Sequence, residues 1–320
     1  MPMGTTKTER IHSIADVVDV EVIRGNAAVA DSTPCLLVEV PHGADERQHY
    51  DRLQARMKGS LPADLHAYFH INTDVGAWAC GRAVALRLVE ERPDRSVLIL
   101  RSLIPRTFID CNRPATKGTA DAVDVAAPKV ALSAGIPPYI RDPDDLALLQ
   151  QLHGQYVDVA AAAFAAVCGQ GGLALVPHTY GPRSMGIPAV DDDIVKNLRW
   201  ACEPERVVTW PLRADIDLLT RDGTGRELSP PGMEAELLQA FGAAGFAARA
   251  NDTYYVHESS LAWTWSTTYP GQLMALEVRR DLLVPEWRPF EETFADPAKT
   301  ARVADVLAPV LDAALKARGF

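Results

Sequence analysis

Four short apolar runs, each one strand long, constrain this chain most: Cys35–Val40 (CLLVEV), Ser96–Leu100 (SVLIL), Leu173–Val176 (LALV) and Leu273–Val278 (LMALEV). Runs this apolar at successive positions suit strands buried on both faces, as in a parallel sheet covered by helices. Helical periodicity lies between them. From Asp74 to Glu91, Ala77, Cys80, Val84 and Leu88 recur at helical intervals before Pro93 closes the segment. A second helix follows Asp142, with Pro143 at its first position and Asp144 and Asp145 in its first turn. Its stripe runs Leu146, Leu149, Leu152, Tyr156, Val159, Ala163 and Val167, and Gly169 to Gly172 stop it. Further helices are expected near Met233–Phe241 and Ala298–Leu315, and further strands at Val17–Ile23 and Arg106–Cys111. The alternation predicts an α/β fold: a single domain over residues 1–320, with a central mixed, mostly parallel sheet flanked by helices. Residues 1–34 read as an irregular lead, and 185–224 as an insertion or lid.

The net charge of -10 disfavours nucleic acid as a partner, because phosphate binding needs clustered Lys and Arg, and no basic run occurs. Five scattered cysteines with no CxxC pair argue against a disulfide framework and against a thiolate zinc knuckle. Any metal here is expected on His and carboxylates. The polar N-terminus lacks an apolar core of signal-peptide length, and no stretch is apolar enough to span a bilayer. A cytoplasmic protein acting on a small molecule is the expectation.

Polar clusters sit where expected strands end. Pro41-His42-Gly43-Ala44-Asp45-Glu46 follows the first run, Pro177-His178-Thr179 the third, and Glu277 lies near the end of the fourth. Asp110-Cys111-Asn112-Arg113 closes the expected strand at Arg106–Cys111. Ligands of open α/β sheets bind outside the carboxyl ends of strands, so these clusters would share one rim. A hydrolytic zinc site needs about three protein ligands and an open position for water. His42 and His178 can supply nitrogens, and Glu46 or Asp45 the carboxylate. Glu277 is then a free carboxylate that can take a proton from water and pass it to a leaving amine. Arg113 offers a fork for a substrate carboxylate, with Asn112 beside it.

PHGADE, HINTDVG, FIDCNRP and MALEVRRDLL, in that order, resemble the N-formylglutamate amidohydrolase family. Asn251-Asp252-Thr253-Tyr254 resembles its Asn-x-x-Tyr segment, and the likeness runs roughly from Leu36 to Leu283. The resemblance implies a fold related to zinc carboxypeptidases and aspartoacylase-like deacylases, and one Zn2+ per chain on His42, His178 and a carboxylate. It also implies Glu277 as general base and Arg113 as substrate anchor. In those relatives a Glu stands three residues after the first His. Asp45 has that spacing here, but Glu46, one further on, has the longer reach and is the expected ligand, with Asp45 as the alternative. The activity implied is hydrolysis of an N-acyl amino acid such as N-formylglutamate. Alternatives are an aspartoacylase- or carboxypeptidase-like zinc hydrolase, or an inert small-molecule-binding protein on the same scaffold.

Each residue also has a plainer reading. Asp74 could simply cap the following helix, or it could face the site as the family's Thr-Asp does. Glu277 could pair with Arg279 or Arg280, and Arg113 with Asp110. Arg183, in GPRSMG, is an alternative carboxylate anchor. His49, His66 and His70 read as solvent-facing, His257 as outside the pocket, and Asp191-Asp192-Asp193 as a solvated loop or helix start.

Overall fold

The computed structural model of the protein describes residues 11–30, 32–116, 135–187 and 189–320. Among these residues the strands are β1 (Val18–Arg24), β2 (Leu36–Val40), β3 (Ser96–Ser102), β4 (Leu173–Tyr180), β5 (Ile216–Leu219), β6 (Ala248–Ala250) and β7 (Leu273–Arg279). They form one mixed sheet in the order β1-β3-β2-β4-β7-β5-β6. The central four, β3, β2, β4 and β7, run parallel. β1 is antiparallel on β3, and β5 is antiparallel on β7.

The helices are α1 (Arg47–Gln54), α2 (Leu65–Asn72), α3 (Ala77–Glu91), α4 (Pro143–Val167), α5 (Ile194–Ala201), α6 (Pro204–Val207), α7 (Met233–Ala243), α8 (Leu261–Thr268) and α9 (Pro297–Ala317). Side-chain alternation along the strands divides the core into two layers. Leu36, Val38, Leu175 and Met274 face α3, α7 and α9. Leu37, Ala174, Val176 and Ala275 face α1, α2, α4, α5 and α8. Both faces are therefore covered, as the apolar runs require, and the whole is a single α/β domain.

Topology selects the site. β2 leads by way of α1, α2 and α3 to β3 on one side of it, while β3 leads by way of α4 to β4 on the other side. The winding reverses between β2 and β4, and such a switch point leaves a crevice at the carboxyl ends of the strands. The β2–β4 ladder stops at Val38 and Leu175, two residues before Pro177, which has no N–H to give. β4 continues on β7 alone as far as Tyr180. His178 therefore lies inside a strand that runs four residues past its apolar stretch.

The helix at 143–167 forms as its sequence dictates: the Asp142 carboxylate accepts from the N–H groups of Asp144 and Asp145. The segment Arg106–Cys111 does not. It folds as turns, with Phe108 and Ile109 donating back to Pro105 O and Arg113 to Asp110 O. Its apolar side chains are drawn into the core from a loop, and among the described residues no strand pairs with it. His49 and His70 are buried on α1 and α2, where solvent-facing positions were expected. The stretch 185–224 holds α5, α6 and the core strand β5. No helix among the described residues is long and apolar enough to cross a membrane.

Candidate metal centre

His42 occupies a tight turn directly after β2. A Cβ on Gly43 would lie 2.5 Å from Arg101 Cγ, so only glycine lets this turn approach β3 so closely. Asp74 precedes α3, whose N-cap is Gly76 at φ +87. A side chain on Gly76 would be strained, and its Cβ would stand 2.9 Å from that of Leu283. With Gly76 at the cap, the Asp74 carboxylate points into the crevice.

Three donors converge there. His42 Nδ1 lies 3.1 Å from Asp74 Oδ2 and 3.1 Å from His178 Nδ1, and His178 Nδ1 lies 3.0 Å from Asp74 Oδ2. All three residues are buried. Two ligands on a tetrahedral zinc at ~2.0–2.1 Å stand roughly 3.3 Å apart. The observed triangle is close to that size, so the donor set fits a small divalent ion with one position left over.

The surrounding groups favour positive charge at this point. Asp110 Oδ1 is 2.7 Å from His42 Nε2 and 2.8 Å from Asn112 N. A carboxylate on Nε2 holds the ring proton there and leaves Nδ1 as a lone pair, the arrangement that orients metal-ligating histidines. Burial and Arg106 push the His42 pKa down, but Asp110 and Asp74 outweigh them and hold it above its ordinary value. Burial opposes ionisation of Asp74 and Asp110, yet His42 and its neighbours hold both carboxyls well below the usual range. Arg106 bridges Asp74 Oδ1 at 3.2 Å and Asp110 Oδ2 at 3.0 Å. Arg280 reaches Asp74 Oδ1 at 3.2 Å and braces Ile71 O and Thr179 O.

Glu277 arrives from the neighbouring strand. It is the register partner of His178 in the parallel β4–β7 ladder, so both side chains project from the same face. Its Oε2 is shut off from solvent without a hydrogen-bond partner among the described residues. Burial pushes its carboxyl up to about 7. Neither adjacent arginine neutralises it by direct contact: Arg279 pairs with Asp215 and Asp281, and Arg280 with Asp74.

His42, His178, Asp110, Asn112, Arg113, Arg183 and Glu277 all line one cavity of about 620 Å³, within the ~300–1,000 Å³ typical of small-molecule sites. His257 lines it too, contrary to the expectation for that residue. Asn112 is anchored at the start of α8, its Oδ1 accepting from Ala262 N, and its Nδ2 lies 3.5 Å from His178 Nε2. Arg113 is held by its own neighbourhood, Nη1 donating to Asn112 O while His153 Nε2 lies 2.7 Å from Arg113 O. Arg183 donates to Trp210 O at 2.6 Å.

The carboxylate brought to the two imidazoles is Asp74. Glu46 is engaged elsewhere: Arg101 Nη2 donates to Glu46 Oε1 at 2.9 Å and to Asp45 Oδ1 at 2.7 Å. Asp45, Glu46 and His49 form a separate group around that arginine. Neither acid that follows His42 in sequence belongs to the triangle, and Asp74 is not the helix cap. Arg106 and Arg280 are not legible as site residues, because nothing in the local sequence ties them to Asp74. The one signal is an arginine four residues before Asp110, in a segment whose apolar residues predict a strand.

Fold and site together define an α/β protein with a His-Asp-His centre at the carboxyl edge of its sheet. Solved structures sharing that fold include the gene product Atu2144 from Agrobacterium tumefaciens, 18% identical with a TM-score of 0.52, covering 97% of this chain and 100% of that one. They also include N-formylglutamate amidohydrolase from Ralstonia eutropha JMP134, 15% identical with a TM-score of 0.53, covering 94% of this chain and 99% of that one. At these identities the likeness is one of fold. No family model matches the sequence, and no curated protein matches it.

Proposed function

We propose that this protein is a metal-dependent amidohydrolase that cleaves an N-acyl amino acid, with N-formylglutamate as the reference substrate. One observation carries the reading: three buried donors converge, and two of them, His42 and His178, line a cavity of substrate size together with Glu277, a carboxylate that has a free oxygen. His42, Asp74 and His178 would hold the ion, and zinc suits two imidazoles and a carboxylate. When bound, the ion supplies Lewis acidity and lowers the pKa of water to about 7.

The chain's own residues do the rest. Glu277 Oε2 accepts a proton from the attacking water and returns it to the amide nitrogen as the C–N bond breaks. A carboxyl poised at about 7 serves both directions at neutral pH. Asp110 fixes the His42 tautomer, while Arg106 and Arg280 hold Asp74 in place. Arg113 and Asn112 line the cavity beside His178, where a substrate carboxylate would find a guanidinium.

The test is elemental analysis of the purified protein together with hydrolysis of N-formyl, N-acetyl and dipeptide substrates. One divalent ion per chain is expected, with activity lost to a chelator and restored by zinc. Glu277→Gln should keep the ion and lose roughly 100- to 10,000-fold in kcat. Activity that survives exhaustive chelation would end the metal reading, and a fully active Glu277→Gln would remove Glu277 from the mechanism.

A further inference from the structure

Arginines crowd this half of the molecule, and most are answered by carboxylates: Arg101 by Asp45 and Glu46, Arg106 by Asp74 and Asp110, Arg279 by Asp215 and Asp281, Arg280 by Asp74. Arg213 differs. Its guanidinium donates to Ser184 Oγ at 3.0 Å, Gly181 O at 3.4 Å and Tyr254 OH at 3.2 Å, all of them neutral. It lies over two aromatic rings, 4.9 Å from the Tyr180 centroid and 5.4 Å from that of Tyr254. Among the described residues no carboxylate forms an ion pair with it. It lines the same cavity as His42, His178 and Glu277.

Its position is set from every side. The main chain returns beside 181–184 as a short antiparallel ribbon, with Ser184 N donating to Pro211 O and Arg213 N to Pro182 O, each at 3.0 Å. Arg213 O accepts from Arg279 Nη1 at 3.0 Å, two residues beyond Glu277. Tyr180 stands two residues beyond His178, and its hydroxyl donates to Ala214 O at 2.8 Å. Tyr254 is held because Asp217, on β5, gathers the N–H groups of Asp252, Thr253 and Tyr254. So the guanidinium is tied to the two strand ends that carry His178 and Glu277. Glu277, which lines the same cavity, interacts with Arg213 electrostatically but makes no ion pair with it, so the guanidinium keeps its capacity for a ligand anion. A preorganised arginine fork is the side chain best suited to take a carboxylate.

We propose that Arg213 is a specificity residue of this cavity, binding one carboxylate of the substrate. This rests on the amidohydrolase reading above, and it assigns to Arg213 the anion contact that the sequence also allowed Arg183, whose Nη1 donates to the carbonyls of Val208 and Trp210.

The experiment compares N-formyl-L-glutamate with N-formyl-L-glutamine and N-formyl-L-isoglutamine, which replace one or the other carboxylate by an isosteric amide. Wild type should prefer a carboxylate at both positions. Arg213→Gln should reduce one of these preferences in kcat/KM by roughly 30-fold or more and leave the other in place. Arg213→Lys keeps the charge and should retain part of that preference, and it carries the comparison if the Gln variant does not fold. Equal losses on all three compounds would mean a brace for the ribbon and would overturn the proposal, as would two unchanged preferences. If none of the compounds is hydrolysed, the amidohydrolase reading fails separately. Calorimetric binding of the same three to wild type and variants then decides on Arg213, and the absence of any carboxylate preference in binding overturns it.

Discussion

The two walls of the cavity are built on opposite principles. On the wall made by β2, the loop before α3 and the Asp110 turn, charges are matched: Asp74 and Asp110 face His42, His178, Arg106 and Arg280 at 2.7–3.2 Å. On the wall made by β7 and the ribbon around Arg213, charges are left open. Among the described residues Glu277 Oε2 has no hydrogen-bond partner, and Arg213 hydrogen-bonds only neutral groups; the two charges feel each other without forming an ion pair. A matched network holds its members rigidly but has little left to give a ligand. Unmatched polar groups beside a cavity are disfavoured in isolation and gain most when a ligand arrives. The contrast separates the part of the site that holds from the part that reacts and selects.

Substitutions can break that contrast. The largest stability effect is expected at Asp74. In chelator-treated protein, Asp74→Asn should cost about 3–5 kcal/mol, because the buried Arg280, the partly buried Arg106 and two imidazoles lose their shared carboxylate. Urea denaturation reads this. A loss of under about 1 kcal/mol would mean the wall is not the matched network described.

Glu277→Gln should do the opposite. The folded-state pKa of about 7 lies above the ordinary 4.5, so the folded protein holds a proton that the unfolded chain releases. Stability from this group is complete below about pH 4.5 and is lost as pH rises through about 7. The metal-free variant should therefore be more stable than metal-free wild type at pH 8, by about 1–3 kcal/mol, with the gap closing towards pH 4.5. Parallel stability–pH curves would show that Glu277 is not strained as its open oxygen implies.

The smallest effect belongs to Glu46. Its ion pair with Arg101 is partly solvent-exposed, and Arg101 keeps Asp45. Glu46→Gln should change stability by under about 1 kcal/mol and leave metal content untouched. Loss of the ion in that variant would return Glu46 to the metal shell.

Much of the architecture was legible. The Asp142 cap, Pro143 and the stripe ending at Val167 mark α4 at both ends, because capping and periodicity are local properties. The four apolar runs became the four parallel strands, since burial on both faces leaves a continuous mark. α1, α2, α5 and the short strands β5 and β6 went unseen; their segments are too short or too mixed to carry a period. Arg106–Cys111 misled because a loop filling the core is as apolar as a strand.

What the sequence alone determined is the set of chemical groups at the strand ends, His42, His178 and Glu277, because apolar runs and the residues that terminate them are written consecutively. Only the tertiary structure decided which acid joins the imidazoles and that Arg213 is held beside the cavity by neutral hydrogen-bond partners. Asp74 reaches His42 across 32 residues and His178 across 104, while Glu46, four residues from His42, turns to Arg101. Proximity along the chain says little about a crevice assembled from strands that the sheet has reordered.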